Sequence, residues 1–122
     1  MDFAYNDEQK EIIKVVRDLV EKEIVPYAAE MDETGKLHEG LLEKLAAQGL
    51  LGVAIPEEFG GAGLDAITIA AIYEELGKGC AGVATTVAAN ALASYPSSLL
   101  VTMTRRNVTS ISSTMTTWLL SP

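Results

Sequence analysis

One cysteine and one histidine in 122 residues already exclude two kinds of architecture. Cys80 has no partner for an internal disulfide, and with His38 as the sole imidazole the usual four-ligand zinc site cannot be assembled. Basic runs are missing too: nine Lys and Arg stand against seventeen Asp and Glu, a formal net charge of -8. Nothing here can follow a phosphate backbone, so nucleic acid is not an expected partner. No window of about twenty residues is free of polar side chains, and the opening MDFAYNDEQK carries acids and no apolar segment. Neither a membrane span nor a signal peptide is expected, and the chain reads as cytoplasmic and metal-free. The alternation of apolar and polar residues that a half-buried sheet requires is absent up to Pro96.

Acids are missing from the whole second part of the chain: none follows Glu75. From Val101 onward there are six Thr, four Ser, Arg105 and Arg106, a break in composition that marks a boundary. What remains is ordinary globular material. Hydrophobic residues make up 48% of the chain, enough for one domain's core without disulfide or metal support.

The pattern is helical. Asn6-Asp7-Glu8-Gln9 has the form of a capping box, in which Asn6 accepts from an early amide and Gln9 reaches back. Ile12, Ile13, Val16, Leu19 and Val20 then recur at helical spacing, and Pro26 ends or kinks this helix near Val25. A short helical piece through Met31 and a loop over 32–36 follow. A second helix is expected over 39–48, closed by Gly49 in the left-handed conformation. Leu50 to Ile55 reads as an extended buried run, and Pro56 to Gly63 as a turn, with Asp65 capping a helix over 66–76 that Gly77 and Gly79 terminate. The stretch 81–94 is rich in Ala and Val and free of charge, which makes it the central helix of an all-α bundle.

Candidate chemistry is sparse. The glycines of 60–63 match no phosphate-binding pattern and read as a turn. Glu57 and Glu58 are adjacent, so they point differently and form no acid–base pair across a substrate. Cys80 reads as a small buried thiol and His38 as a surface residue. Thr85 and Thr86 are expected to bond their own backbone four residues back.

Five segments in order nevertheless resemble the amino-terminal helical domain of the flavin-dependent acyl-CoA dehydrogenases. They are Met1-Asp2-Phe3 with Glu8-Gln9, Glu21 to Pro26, Leu50 to Val53 with Ile55 to Gly61, Glu74-Glu75-Leu76, and Ala81-Gly82-Val83 leading into the small-residue helix that reaches Pro96. The similarity covers residues 1–96. It implies an all-α bundle belonging to an oxidoreductase of fatty acid metabolism, a flavoprotein in which a glutamate base removes the α-proton of an acyl-CoA thioester and FAD takes the β-hydride. It further implies reoxidation by electron-transferring flavoprotein and a homotetrameric full-length enzyme. The base and most contacts to flavin adenine dinucleotide belong to other domains in that family, so no catalytic, cofactor-binding or metal residue is assigned here. By position, Ala84, Thr85, Ala88, Ala89 and Leu92 match the helix face that meets the acyl tail; close helix packing is the alternative reading of these alanines.

After Pro96 the resemblance stops. Read one base earlier, the codons for Val101 to Ile111 allow Gly-Asn-Asp-Asp-Glu-Lys-Lys-Arg-Tyr-Phe-Asp, which is similar to the family's continuation. The expectation is therefore a helical domain over 1–96 and a Ser/Thr-rich frameshift product over 97–122 without evolved structure. A truncated fragment of this kind is expected to be inactive on its own. The competing expectation from another class is an isolated helical interaction module that binds a partner through apolar surface.

Overall fold

The computed structural model describes residues 4–104, and every regular element among them is helical. Helix α1 (Asp7–Leu19) opens on the expected capping box. Asn6 Oδ1 accepts from the Gln9 amide at 2.8 Å, and Gln9 Oε1 accepts from the Asn6 amide at 3.0 Å. The Gln9 side-chain amide also donates to Thr68 Oγ1 at 3.1 Å, which ties this cap to a later helix. Asn6→Ala is expected to cost about 1 kcal/mol, read as a drop of several degrees in Tm.

Pro26 acts differently from a simple stop. Between Val20 and Ile24 the chain widens into a π-turn in which the Val25 amide donates to the Val20 carbonyl, followed by a 3-10 turn over Val25–Tyr27. Pro26 has no N–H for the ordinary ladder, and the widened turn rotates both Val20 and Ile24 inward. Helix α2 (Ala28–Thr34) takes up part of the expected loop and ends at Gly35 with φ +65. Helix α3 (Leu41–Ala47) is shorter than its expected span, because Gly40 in the left-handed region opens it and Gly49, at φ +73, closes it.

The run from Leu50 to Ile55 is not extended. It forms a 3-10 turn over Leu50–Gly52 and then a tight loop, with the Gly52 amide on the Gly49 carbonyl and the Ile55 amide on the Gly52 carbonyl. Leu50, Val53 and Ile55 are buried as expected. With no neighbouring strand, tight turns satisfy part of this backbone, and the carbonyls of Gly52, Val53 and Ile55 accept from Ala62, Leu64 and Gly63 across the loop.

Helix α4 (Ala66–Gly79) starts at the Asp65 cap, which accepts from the Ile67 amide at 3.2 Å and from the Thr68 hydroxyl. It runs through Gly77, the first of the two glycines expected to end it, and stops at the second, Gly79. Gly79 is required there by packing: a Cβ would lie 2.5 Å from Val20 Cγ1 and 3.2 Å from Ile24 Cγ2. The bare glycine lets the end of α4 rest on the π-turn. Helix α5 (Ala81–Thr104) continues beyond Ser94 and contains Pro96, so the backbone shows no break at the compositional boundary. The remainder of the 97–122 expectation, residues 105–122, lies outside the described residues.

The core lies where α1, α3, α4 and α5 meet. Ile24, Leu41, Leu45, Ile72, Leu76, Val83 and Val87 are almost fully buried, and Val83 and Val87 place α5 at the centre as its composition predicted.

Candidate functional site

Helix α5 has two apolar faces. Val83 and Val87 point into the core, while Thr85, Ala88, Ala89, Ala91 and Leu92 line a groove of about 430 Å³ together with Ile69 and Tyr73 of α4, Ala54 and Tyr95. Positions 85, 88, 89 and 92 recur at three- and four-residue spacing and so share one side of a helix. Four of the five residues implied by the resemblance thus come together. Ala84 does not line the groove; it packs against the core, beside the α4 backbone at Gly77.

The groove is open along one edge, where Leu92 is 72% and Tyr95 52% exposed. Its polar atoms are few. Thr85 Oγ1 donates to the Ala81 carbonyl at 2.8 Å, as Thr86 does to Gly82, so the Thr85 hydroxyl can offer a ligand only acceptor capacity. The Tyr73 hydroxyl oxygen is shielded from water and has no hydrogen-bond partner; burial, and secondarily Tyr95, push its pKa up. Neither Tyr73 nor Tyr95 was singled out from the sequence, because an aromatic at helical spacing carries no mark of whether its hydroxyl is satisfied.

The glycine turn cannot cradle a phosphate. Its amides are committed internally: Gly60 to Glu57, Gly61 to Pro56, Ala62 to Gly52, Gly63 to Ile55 and Leu64 to Val53. Glu57 and Glu58 are exposed on the 3-10 turn beside it. Asn90 serves the fold: it is buried, donates from Nδ2 to the Leu51 carbonyl at 2.6 Å and so fastens α5 to the turn.

Glu75 is the buried carboxylate among the described residues, at 6% exposure. Arg17 grips it with Nη2 on Oε1 at 2.9 Å and Nε on Oε2 at 3.2 Å, and Lys78 adds a contact of 2.8 Å to Oε1. Hydrogen bonds from Arg17, then Lys78, outweigh burial and hold its pKa at about 2. A general base for proton abstraction needs a raised pKa, so Glu75 is a clamp and not a base. Lys78 also lies 3.1 Å from the Glu74 carboxylate, so both acids near the C-terminal end of α4 face a cation. His38 stacks on Tyr27 with centroids 3.6 Å apart and lies 3.7 Å from the Glu30 carboxylate, and Cys80 is half-buried. Among the described residues no group of three or more His, Cys, Asp or Glu could hold a metal, and no helix is long and apolar enough to cross a membrane.

The described residues thus form an all-α domain whose central helix presents a small-residue apolar groove. Residues 6–104 match the family described as "Acyl-CoA dehydrogenase, N-terminal domain", and the chain belongs to that family. The match extends past Pro96, where the resemblance read from the sequence ended. Among its relatives, the "Probable acyl-CoA dehydrogenase YngJ" of Bacillus subtilis is 38% identical over 73% of this chain and 23% of its own length. The human mitochondrial short-chain specific acyl-CoA dehydrogenase is 37% identical over 65% of this chain and 19% of its own. The cyclohex-1-ene-1-carbonyl-CoA dehydrogenase of Syntrophus aciditrophicus is 40% identical over 70% of this chain and 20% of its own. The chain therefore spans about a fifth of the length of the relatives it matches.

Neither the groove nor the glycine turn fits a flavin dinucleotide. A pyrophosphate needs free amides or cations. The groove is walled by alanine, leucine, isoleucine and three hydroxyls, and the amides of the glycine turn are spent.

Proposed function

We propose that this domain forms the acyl-tail wall of an acyl-CoA dehydrogenase, with Thr85, Ala88, Ala89 and Leu92 in contact with the tail and Ala84 setting the distance between α5 and α4. The observation that carries this reading is the 430 Å³ groove, which gathers five small or apolar side chains of α5 opposite Ile69 and Tyr73 and offers no cation. An apolar lining with few polar groups suits a hydrocarbon and gives it position without charge. On this reading the whole enzyme is a flavoprotein oxidoreductase that oxidises the Cα–Cβ bond of an acyl-CoA thioester in fatty acid metabolism. FAD supplies the hydride acceptor there, held, like the base, by residues other than those described. Reoxidation by electron-transferring flavoprotein, a homotetrameric state and a cytoplasmic location belong to the same proposal. So does inactivity of the 122-residue chain by itself: mixed with FAD, an acyl-CoA and a dye acceptor, it is expected to reduce no dye.

Titration of isotope-labelled chain with octanoyl-CoA, using free CoA as control, tests the groove. The amide resonances of Thr85, Ala88, Ala89 and Leu92 are expected to shift with the thioester and not with CoA. Ala88→Phe, which fills the groove, is expected to weaken that response at least tenfold while leaving Tm within a few degrees. Shifts that follow the CoA moiety alone, or that survive Ala88→Phe, would defeat the reading.

A further inference from the structure

The groove presents more apolar surface than its own helices cover. Leu92 and Tyr95 stand exposed at its open edge, and the alanines at 54, 88, 89 and 91 leave a hollow of about 430 Å³ with no charged group in its lining. Apolar surface beside a hollow is favourably covered by a bulky apolar side chain, and an aromatic ring covers the most area. The segment that follows α5 supplies one. After the Ser- and Thr-rich stretch 105–117, Trp118, Leu119 and Leu120 stand together, and Trp118 is the sole tryptophan of the chain.

Length and charge both allow a return. Leu92 and Thr104 are about 18 Å apart along α5, whereas the stretch 105–117 can span about 40 Å. All seventeen acids lie at or before Glu75, while the charged residues of 105–122 are Arg105 and Arg106, so attraction holds this segment near the domain. Joined to the helix that carries the groove, the ring is present there at an effective concentration of about millimolar.

We propose that Trp118, Leu119 and Leu120 fold back onto this groove, with the indole in the hollow between α4 and α5, and exclude an acyl tail from it. The excluding role rests on the acyl-tail reading of the groove; the docking itself does not. No regular structure in 105–122 is required. Three apolar side chains lose water, and the indole N–H keeps a partner in the water at the open edge.

The sole tryptophan reads the test directly in the full 122-residue chain. Emission excited selectively at the indole is expected to lie well to the blue of free tryptophan at every protein dilution. Ala88→Phe, which fills the hollow, and Leu92→Glu, which charges its open edge, are each expected to move it to the red, as is octanoyl-CoA but not free CoA. Trp118→Ser, which changes no groove residue, is expected to bind octanoyl-CoA about tenfold more tightly, the gain from clearing a groove filled in about nine molecules of ten. Wild-type emission equal to that of free tryptophan would overturn the docking. So would a blue emission lost on dilution, which would place the ring on a second copy. An emission that resists both groove variants and yields to Val15→Glu would place the ring instead in the hollow of about 340 Å³ beside Ile12, Val15 and Leu19 of α1, and would also overturn it. If the indole answers to the groove variants but octanoyl-CoA shifts the groove amides of Trp118→Ser and wild type with equal affinity, the excluding role falls and the acyl-tail reading stands. If octanoyl-CoA perturbs no groove amide even in Trp118→Ser, the acyl-tail reading falls and the excluding role with it, and the docking alone remains.

Discussion

Gly61→Ala is expected to destabilise the domain by about 3 kcal/mol or more, lowering Tm by well over ten degrees. The cause is backbone against backbone. A Cβ at residue 61 would fall inside the contact distance of the Ile55 carbonyl oxygen, carbonyl carbon and Cβ, and none of these can swing aside as the end of a long side chain could. The two arms of the turn are also laced together on both sides of the clash. Gly61 N donates to the Pro56 carbonyl at 3.2 Å, Gly63 N to Ile55 at 2.9 Å and Ala62 N to Gly52 at 3.0 Å. Relieving the overlap lengthens several of these bonds at once. Gly35→Ala supplies the contrast: its φ of +65 strains any L-residue, but nothing lies within 4 Å of the added methyl. That variant is expected to cost about 1 kcal/mol. Thermal unfolding of both checks the difference, and equal losses would mean that residues 55 and 61 do not approach as described. The effect reaches the groove as well, because Ala54 on its wall precedes Ile55 and because Asn90 hangs α5 from Leu51.

The same turn shows what the sequence could and could not disclose. The capping box at Asn6, the left-handed Gly49, the Asp65 cap and the burial of α5 all follow from local rules, and each stands in the structure. Errors arose where a residue serves a distant partner. Gly79 does end α4, but no local rule disclosed that Val20 and Ile24 press on it and leave no room for a Cβ. The run 50–55 resembles a buried strand because burial was legible and the missing neighbour was not. Pro26 signals a disturbance in either case, but the π-turn that absorbs it depends on having α4 to pack against. For the groove, the family resemblance supplied the α5 stripe and helical spacing explains why 85, 88, 89 and 92 cohere. Residue 84, adjacent in sequence, is turned about 100° around the helix and meets α4 instead. The wall contributed by Ile69, Tyr73 and Ala54 comes from elsewhere in the chain, where no periodicity of α5 could point.

Acid is expected to remove the stability that the clamp between α1 and α4 contributes. Glu75, held at about 2 in the folded protein against an ordinary value of 4.5, binds a proton more readily when unfolded. Its contribution is therefore complete above about pH 5 and is lost as pH falls through 4 toward 2. The shift corresponds to about 2 kcal/mol once the half-exposed Arg17 and Lys78, whose charges water and salt screen, are allowed for. Asp65, lowered by its bond from the Thr68 hydroxyl, acts in the same direction at the start of α4. Urea unfolding across pH 2 to 7 reads this directly. Glu75→Gln is expected to be about 2 kcal/mol less stable than wild type at pH 7, with the gap closing toward zero near pH 2. A gap that stayed constant with pH would assign the loss to packing and not to the ion pairs. The location of the clamp gives the result its functional meaning. Thr68, Ile72 and Glu75 recur along α4 toward α1 and the core, whereas Ile69 and Tyr73 line the groove. Protonating Glu75 releases the helix that carries Tyr73 from its support without touching the groove itself. Thioester affinity of the folded protein is thus expected to weaken with acid in wild type but not in Glu75→Gln, where the clamp is already broken at every pH.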